Sequence, residues 1–237
     1  QFFFRCLQQA DAVITTTARL ARRLMKHKLG PDDPLAMVIG EQWENEVPIW
    51  VLPNYVDLDV WGSVNPPIPA RTSVRVLFQG SYSHYSDLQM VEPALVQLLE
   101  DYPEVTLVLW GEPPASLIAQ CPASQLELVA WQPGLEKYVA KMRLMDAAIG
   151  IAPLEGTGFT DCKSPLKFLE YGAAGIAPVL SGVPPFIDVI DNHPGEDEDW
   201  PAILVRNDPQ AWYTTLALLT QAHEQRLYDW WEEQGFF

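Results

Sequence analysis

Two lysines stand around the start of a predicted helix in the stretch DCKSPLKFLEYGAAG, residues 161–175. Lys163 and Lys167 therefore lie at the end of the helix where the dipole is positive and favours anions. A bound phosphate would remove this mismatch, because the free backbone N–H groups and both ammonium groups could share its charge. A solvated helix start is the simpler interpretation of either lysine alone, but the pair favours a phosphate site.

The helix itself has clear start and stop signals. Ser164 fits an N-cap, Pro165 fits the first helical position and Gly175 fits the left-handed residue after the last turn. Together these residues predict a helix over 165–174.

Glu170 lies one turn into this helix and has two possible partners. It could pair with Lys167, three residues earlier, or it could accept hydrogen bonds from sugar hydroxyls such as a ribose diol. The residues alone leave both interpretations open.

A second polar segment, GSYSHYSD at residues 80–87, follows an apolar run. His84 could donate a hydrogen bond to a phosphate or a substrate hydroxyl, although a surface histidine fits as well. Ser86 and Gln89 match a capping box, which makes Asp87 an ordinary acid of the first helical turn.

Two aromatic residues and two acidic motifs complete the candidates. Trp131 and Tyr138 could form a wall for a nucleobase, or could pack against the next helix. The D-x-D motifs at 57–59 and 197–199 lie in a linker and an acidic loop, so we interpret both as incidental and expect no metal site.

Short apolar runs alternate with helical patterns from residue 74 onward, which predicts a doubly wound, parallel, Rossmann-like α/β sheet. The six strand candidates are 74–80, 105–111, 126–131, 147–153, 177–182 and 202–207. Ligands of such sheets bind beyond the carboxyl ends of the strands. The lysine pair and the His84 loop both follow such ends.

The first 73 residues predict the end of a preceding α/β domain and a Pro-rich linker. We place the boundaries at 1–60 for that domain and the linker, 61–225 for the main domain and 226–237 for a C-terminal tail. The chain does not begin with Met, and its abrupt start is expected of a fragment.

Composition excludes several classes of protein. Fifteen Lys and Arg against 31 Asp and Glu give a formal charge of −16, which disfavours nucleic acid or an anionic membrane surface as a partner. The three cysteines form no C-x-x-C pair, so a reducing cytoplasm is expected, and no apolar run reaches the ~20 residues of a membrane span. Neither a dinucleotide fingerprint nor a P-loop is present.

Several segments in order resemble glycosyltransferases of the GT-B fold, and more narrowly the family 4 group of retaining enzymes that use nucleotide-activated sugars. The segments are ADAVITTT, VLPNYVDLDVW, VLFQGSYSHYSDLQMVEPALVQLLEDYPEVTLVLWG, KSPLKFLEYGAAGIAPVLS and AILVRNDPQAW. The resemblance covers the end of the first domain, the linker and nearly all of the second, donor-binding domain. It implies that Glu170 holds the ribose of the donor.

The resemblance also implies the other donor-binding residues. Some members of the family combine a GS-x-x-H-x-x-D loop with a KS-x-x-K-x-x-E helix, and this chain has both, which assigns donor binding to Gly80, Ser81, His84, Lys163, Ser164, Lys167 and Glu170. Cations usual after the first strand are missing, and the two lysines can supply their charge. Cys162 stands where the family has a first glutamate, and Asp161 or Glu155 is the alternative carboxylate.

The implied activity is transfer of a sugar, with retention, from a nucleoside diphosphate sugar to a saccharide or lipid-linked acceptor in glycan or polysaccharide synthesis. The first domain would hold the acceptor, and no metal or other cofactor is expected. The expected location is the cytoplasm, peripheral to a membrane in a longer protein. Two alternatives stay open, namely a non-catalytic nucleotide or sugar-phosphate module and a sugar-nucleotide epimerase of the same fold.

Overall fold

The computed structural model describes residues 9–24, 47–62, 74–191 and 202–224. A small parallel sheet comes first, in which β1 (Val13–Thr15) pairs with β2 (Ile49–Val51). Helix α1 (Ala18–Leu24) follows β1, and the short helix α2 (Leu58–Gly62) follows β2. Residues 1–8 of the predicted preceding domain lie outside the described residues, as do the second D-x-D motif and the predicted C-terminal tail.

A six-stranded, fully parallel sheet forms the centre of the molecule, which confirms the predicted fold class. Its strands run in the order β5-β4-β3-β6-β7-β8. Their bounds are β3 (Arg75–Gly80), β4 (Thr106–Gly111), β5 (Leu126–Val129), β6 (Ile149–Ala152), β7 (Ala177–Ser181) and β8 (Ile203–Val205).

Helices cover both faces of this sheet. They are α3 (Tyr85–Asp101), α4 (Ala115–Gln120), α5 (Leu135–Leu144), α6 (Leu166–Ala173), α7 (Pro184–Asp191) and α8 (Pro209–Glu224). Val76 and Phe78 of β3 pack into a core with α3 and α8, whereas Leu77 packs on the opposite face with α5 and α6. Because both faces are buried, each strand appears in the sequence as an almost continuous apolar run.

The chain reverses direction across the sheet at its middle. β3 is the first strand of this sheet and lies between β4 and β6, so that β4 and β5 extend to one side and β6, β7 and β8 to the other. The loops after β3 and β6 therefore lead away from each other and leave a crevice at the carboxyl edge.

Helix α6 begins and ends within one residue of the prediction, but its start is capped differently. Pro165 takes the N-cap position and Ser164 makes no cap; the Ser164 Oγ instead accepts a hydrogen bond from Asn54 Nδ2 at 2.8 Å. The helix ends as predicted, since Gly175 is left-handed with φ of 69° and the next amide bonds back to Tyr171 at 2.9 Å.

The contact of α6 with the sheet depends on a glycine of β6. Any Cβ at Gly150 would lie 2.7 Å from the ring of Tyr171, which is fully buried and donates its hydroxyl to the carbonyl of Ile151 at 3.1 Å. The missing side chain lets the helix approach the strand closely and sets the height of α6 above the sheet.

We predict that Gly150→Ala destabilises the fold by about 1–3 kcal/mol, because the added methyl collides with a buried ring and overpacks the core. Urea unfolding would measure this. Gly172→Ala is the matched control, because no atom lies within 4 Å of a Cβ at that helical position. Equal stability of the two variants would show that this contact does not position α6.

Candidate functional site

A pocket of about 520 Å³ lies in the crevice at the carboxyl edge of the sheet. Three segments line it, namely 79–84 at the carboxyl end of β3 and just after it, 131–138 after β5, and 163–170 at the start of α6. Nine of the ten predicted site residues are among the lining residues, namely Gly80, Ser81, His84, Trp131, Tyr138, Lys163, Ser164, Lys167 and Glu170. Glu155 is the exception. The roles of all ten stay predictions.

A buried carboxylate organises the back of the pocket. Asp87 is only 2% exposed, and its Oδ2 lies 2.8 Å from His84 Nδ1 and 3.9 Å from Lys163 Nζ. Its Oδ1 accepts the backbone N–H of Glu155 at 2.8 Å. A buried carboxylate needs such partners to offset its desolvation, so Asp87 joins the loop after β3 to the loop after β6.

The capping-box interpretation of this turn is wrong, whereas Asp87 does lie in the first helical turn as predicted but has further contacts. Helix α3 begins at Tyr85 with His84 at its N-cap, so Ser86 and Gln89 form no capping box. Asp87 is not an ordinary first-turn acid, since it orients the imidazole and contacts a lysine. The aspartate of the GS-x-x-H-x-x-D pattern was the signal that could have revealed its role.

The two lysines converge on the pocket with their side chains mostly covered. Lys167 Nζ lies 3.6 Å from Glu170 Oε2, so the predicted i,i+3 ion pair is present. Burial lowers the pKa of Lys167 to about 8, and the charge of Glu170 opposes that shift only in part. The Lys167 side chain is therefore mostly protonated at neutral pH, but it loses its proton more readily than an exposed lysine. Such a pKa suits a site in which the lysine gains an anionic partner when a ligand binds.

The two aromatic candidates differ in exposure. The Trp131 ring is 59% exposed at the rim, whereas Tyr138 is buried and stacks on Trp110 with 4.9 Å between ring centroids. Tyr138 is therefore largely packed against its neighbours, as the packing interpretation predicted, whereas Trp131 has an exposed ring face.

The carboxylate missing at Cys162 is not replaced inside the pocket. Cys162 is buried, with its Sγ 3.6 Å from the carbonyl of Gly158, and neither Asp161 nor Glu155 is a lining residue. Among the described residues that line the pocket, Glu170 alone carries a carboxylate.

The segment that precedes the sheet holds the start of α6 from outside. Thr17 Oγ1 donates to the carbonyl of Cys162 at 2.8 Å, and Asn54 donates to Ser164. Sequence reasoning missed Asn54, and it also missed Gln79, a pocket residue hidden in the apolar run of β3.

The described ranges contain neither a cluster of metal-ligating side chains nor a helix that could span a membrane. No three His, Cys, Asp or Glu side chains group there in a way that could hold a metal ion. None of the helices in those ranges is both long and apolar enough to cross a membrane. In the first D-x-D motif, Asp57 Oδ1 accepts the backbone N–H of Asp59 at 3.0 Å at the start of α2.

Solved structures share this fold, although no family model and no curated protein matches the chain. The catalytic domain of starch synthase IV from Arabidopsis thaliana, bound to ADP and acarbose, has a TM-score of 0.62 at 11% identity over 96% of this chain and 51% of its own. A glycosyltransferase from Rickettsia africae has a TM-score of 0.59 at 11% identity over 88% and 52%.

A third structure, an α,α-trehalose-phosphate synthase (UDP-forming) from Burkholderia xenovorans in complex with glucose-6-phosphate, has a TM-score of 0.56 at 14% identity over 95% and 58%. The chain thus spans about half the length of these structures. At such identities the likeness defines the fold, which is the Rossmann-like half of a GT-B structure.

We predict that Asp87→Asn destabilises the fold by about 1–2 kcal/mol, because the amide weakens the ionic contacts to His84 and Lys163 but keeps an acceptor for the Glu155 amide. Thermal unfolding would measure it against Asp11→Asn, which changes an exposed carboxylate. A melting temperature equal to that of the control would show that Asp87 does not hold the two loops together.

Proposed function

We propose that this chain is the donor-binding half of a glycosyltransferase that moves a sugar from a nucleoside diphosphate sugar to an acceptor. The main observation behind this proposal is the pocket. It is lined by His84, Lys163 and Lys167 together with the Glu170 carboxylate, which can accept hydrogen bonds. The fold supports the proposal, since the neighbours include an ADP-bound starch synthase and a UDP-forming synthase.

The cationic end of the pocket would hold the diphosphate. Both ammonium groups and the positive end of the α6 dipole face a region where negative charge grows as the glycosidic bond to the phosphate breaks. These groups stabilise the leaving diphosphate without proton transfer. Asp87 contacts Nδ1 of His84 and so leaves the Nε2 side of the imidazole available to a phosphate oxygen.

The remaining lining residues would position the nucleoside. Glu170 accepts hydrogen bonds from the ribose, and the exposed face of Trp131 stacks on the base. Gly80 lies where a Cβ would meet the Phe78 ring at 2.8 Å, and Ser81 offers a hydroxyl at the mouth.

The finer parts of the proposal rest on the sequence resemblance. They are membership of the family 4 group, retention of configuration, and a saccharide or lipid-linked acceptor held mainly by a preceding domain. The same resemblance is the basis for three further parts of the proposal. They are a role in glycan or polysaccharide synthesis, a cytoplasmic location near a membrane, and catalysis without a metal ion.

A nucleotide-binding module without transfer activity is the second candidate. It is favoured by Cys162, whose thiol is buried where the resemblance places a carboxylate. NMR of UDP-glucose incubated with the chain would separate the two, since slow release of glucose favours the transferase and binding without release favours the module.

We predict that Lys167→Met weakens nucleoside diphosphate binding about tenfold or more, because it removes a charged donor from the diphosphate. Calorimetry with UDP, ADP and GDP would measure it. Lys141→Met is the control, since Lys141 is exposed on α5 and is not among the lining residues. Failure of all three nucleotides to bind the unaltered chain would overturn the proposed function.

We also predict that the affinity of the chain for nucleoside diphosphates falls about tenfold between pH 7 and pH 9. The pKa of Lys167 is lowered to about 8, so its ammonium group is mostly charged at the lower pH and mostly neutral at the higher one. The terminal phosphate ionises near pH 6 and changes little over this range. Calorimetry across the range should show the fall in the unaltered chain but not in Lys167→Met, and a flat profile in both would contradict it.

A further inference from the structure

The hydroxyl group of Ser164 has a hydrogen-bond partner that comes from outside the pocket. Asn54 Nδ2 donates to the Ser164 Oγ at 2.8 Å. Ser164 lines the pocket, whereas Asn54 is not a lining residue and lies half-buried between β2 and α2. A side chain of the segment before the large sheet therefore contacts a hydroxyl that faces the ligand.

The direction of this hydrogen bond determines what the hydroxyl can still do. A serine hydroxyl donates one hydrogen bond and accepts up to two. Because Asn54 supplies an N–H group, it occupies a lone pair of the Ser164 Oγ, and the hydroxyl hydrogen points away from Asn54. That hydrogen has no acceptor among the described residues. It is left for a ligand, since Ser164 lines the pocket.

The surroundings of the hydroxyl favour a ligand that only accepts hydrogen bonds. Ser164 lies between Lys163 and Lys167 in the sequence, and all three residues line the pocket at the positive end of the α6 dipole. An ionised phosphate brings acceptor oxygens and negative charge to such a place. Accepting a hydrogen bond from Asn54 also polarises the Ser164 O–H group, which makes it a better donor.

The small sheet holds Asn54 in place. Two residues earlier, the backbone N–H of Leu52 donates to the carbonyl of Thr15 at 2.8 Å, which fixes the chain as it leaves β2. The same sheet holds the other partner, since Thr17 Oγ1 donates to the carbonyl of Cys162, two residues before Ser164, at 2.8 Å. The contact of Asn54 with Ser164 is therefore in place before a ligand binds.

We propose that the Ser164 hydroxyl donates a hydrogen bond to a phosphate oxygen of the ligand, and that Asn54 is a positioning residue that turns the hydroxyl toward it. Asn54 acts through Ser164, because it does not line the pocket itself. This inference rests on the proposed function for its ligand, a nucleoside diphosphate. It gives a binding function to a segment that the sequence indicated only as a linker.

Asn54→Asp is the sharpest test, because a carboxylate only accepts hydrogen bonds. It takes the hydrogen of the Ser164 hydroxyl, which then no longer donates to the ligand. Calorimetry with UDP, ADP and GDP should show affinity reduced about tenfold or more in this variant and in Ser164→Ala, since each loses a hydrogen bond to a charged group. Asn54→Ala lets the hydroxyl rotate and should weaken binding about threefold.

A double-mutant cycle separates positioning from other effects of these changes. When it is combined with Ser164→Ala, Asn54→Ala should change the affinity by less than about 1.5-fold, because the hydroxyl through which Asn54 acts is gone. The effect of Asn54→Asp should shrink in the same background to the part that its added negative charge causes.

Thr17→Val is the matched control, since it removes a contact between the same sheet and the same turn but leaves Asn54 and Ser164 intact. Any affinity that it costs should be the same with and without Ser164→Ala. Phosphorus NMR of the bound nucleotide is an independent readout. Its resonances should shift in Ser164→Ala and Asn54→Asp but not in Thr17→Val.

Two results would overturn the inference. The first is unchanged affinity in Ser164→Ala, with a melting temperature that shows it folded. The second is an equal effect of Asn54→Ala with and without Ser164→Ala, which would show that Asn54 only supports the turn. In both cases the nucleotides still bind the unaltered chain and the proposed function stands. If none of them binds it, the proposed function fails and the inference fails with it.

Discussion

The burial of the Asp87 carboxylate is the constraint on which the pocket depends. An almost fully buried anion at the carboxyl edge of the sheet is tolerated only with close partners, and here they come from two loops that the sheet topology sends apart. The loop after β6 is held against the loop after β3 by the Glu155 amide. His84 and Lys163 are held in the pocket by the same group. The crevice is thus created by the strand order and given its shape by one side chain.

The pocket also concentrates positive charge in a strongly acidic chain. Two partly covered ammonium groups and a positive helix end lie together, and Glu170 is the one acid among the described lining residues. The lowered pKa of Lys167 records the free-energy cost of this arrangement. An anion that binds here relieves this cost. Its affinity should exceed that for the same groups free in water, because the groups are already in place.

The fold could be predicted from the sequence because its determinants are local. Buried parallel strands appear as apolar runs such as VRVLF, and Gly175 marks a helix end through its own backbone conformation. The candidate site could be predicted only to the extent that its residues follow the carboxyl ends of predicted strands. The functions of Asp87 and Asn54 depend on partners that are distant in sequence, since Asn54 reaches Ser164 across 110 residues. Gln79 was missed because one polar residue does not interrupt an apolar run.

The hydrogen bonds from Thr17 and Asn54 also have a mechanical consequence. They connect the small sheet to the turn that carries Lys163 and Ser164, and they are joined by the ion pair of Arg19 with Asp188 on α7. The small sheet therefore cannot rotate against the large one without stretching these contacts or carrying the turn with it. The position of one lysine in the pocket is in this way coupled to the orientation of a segment that does not line the pocket.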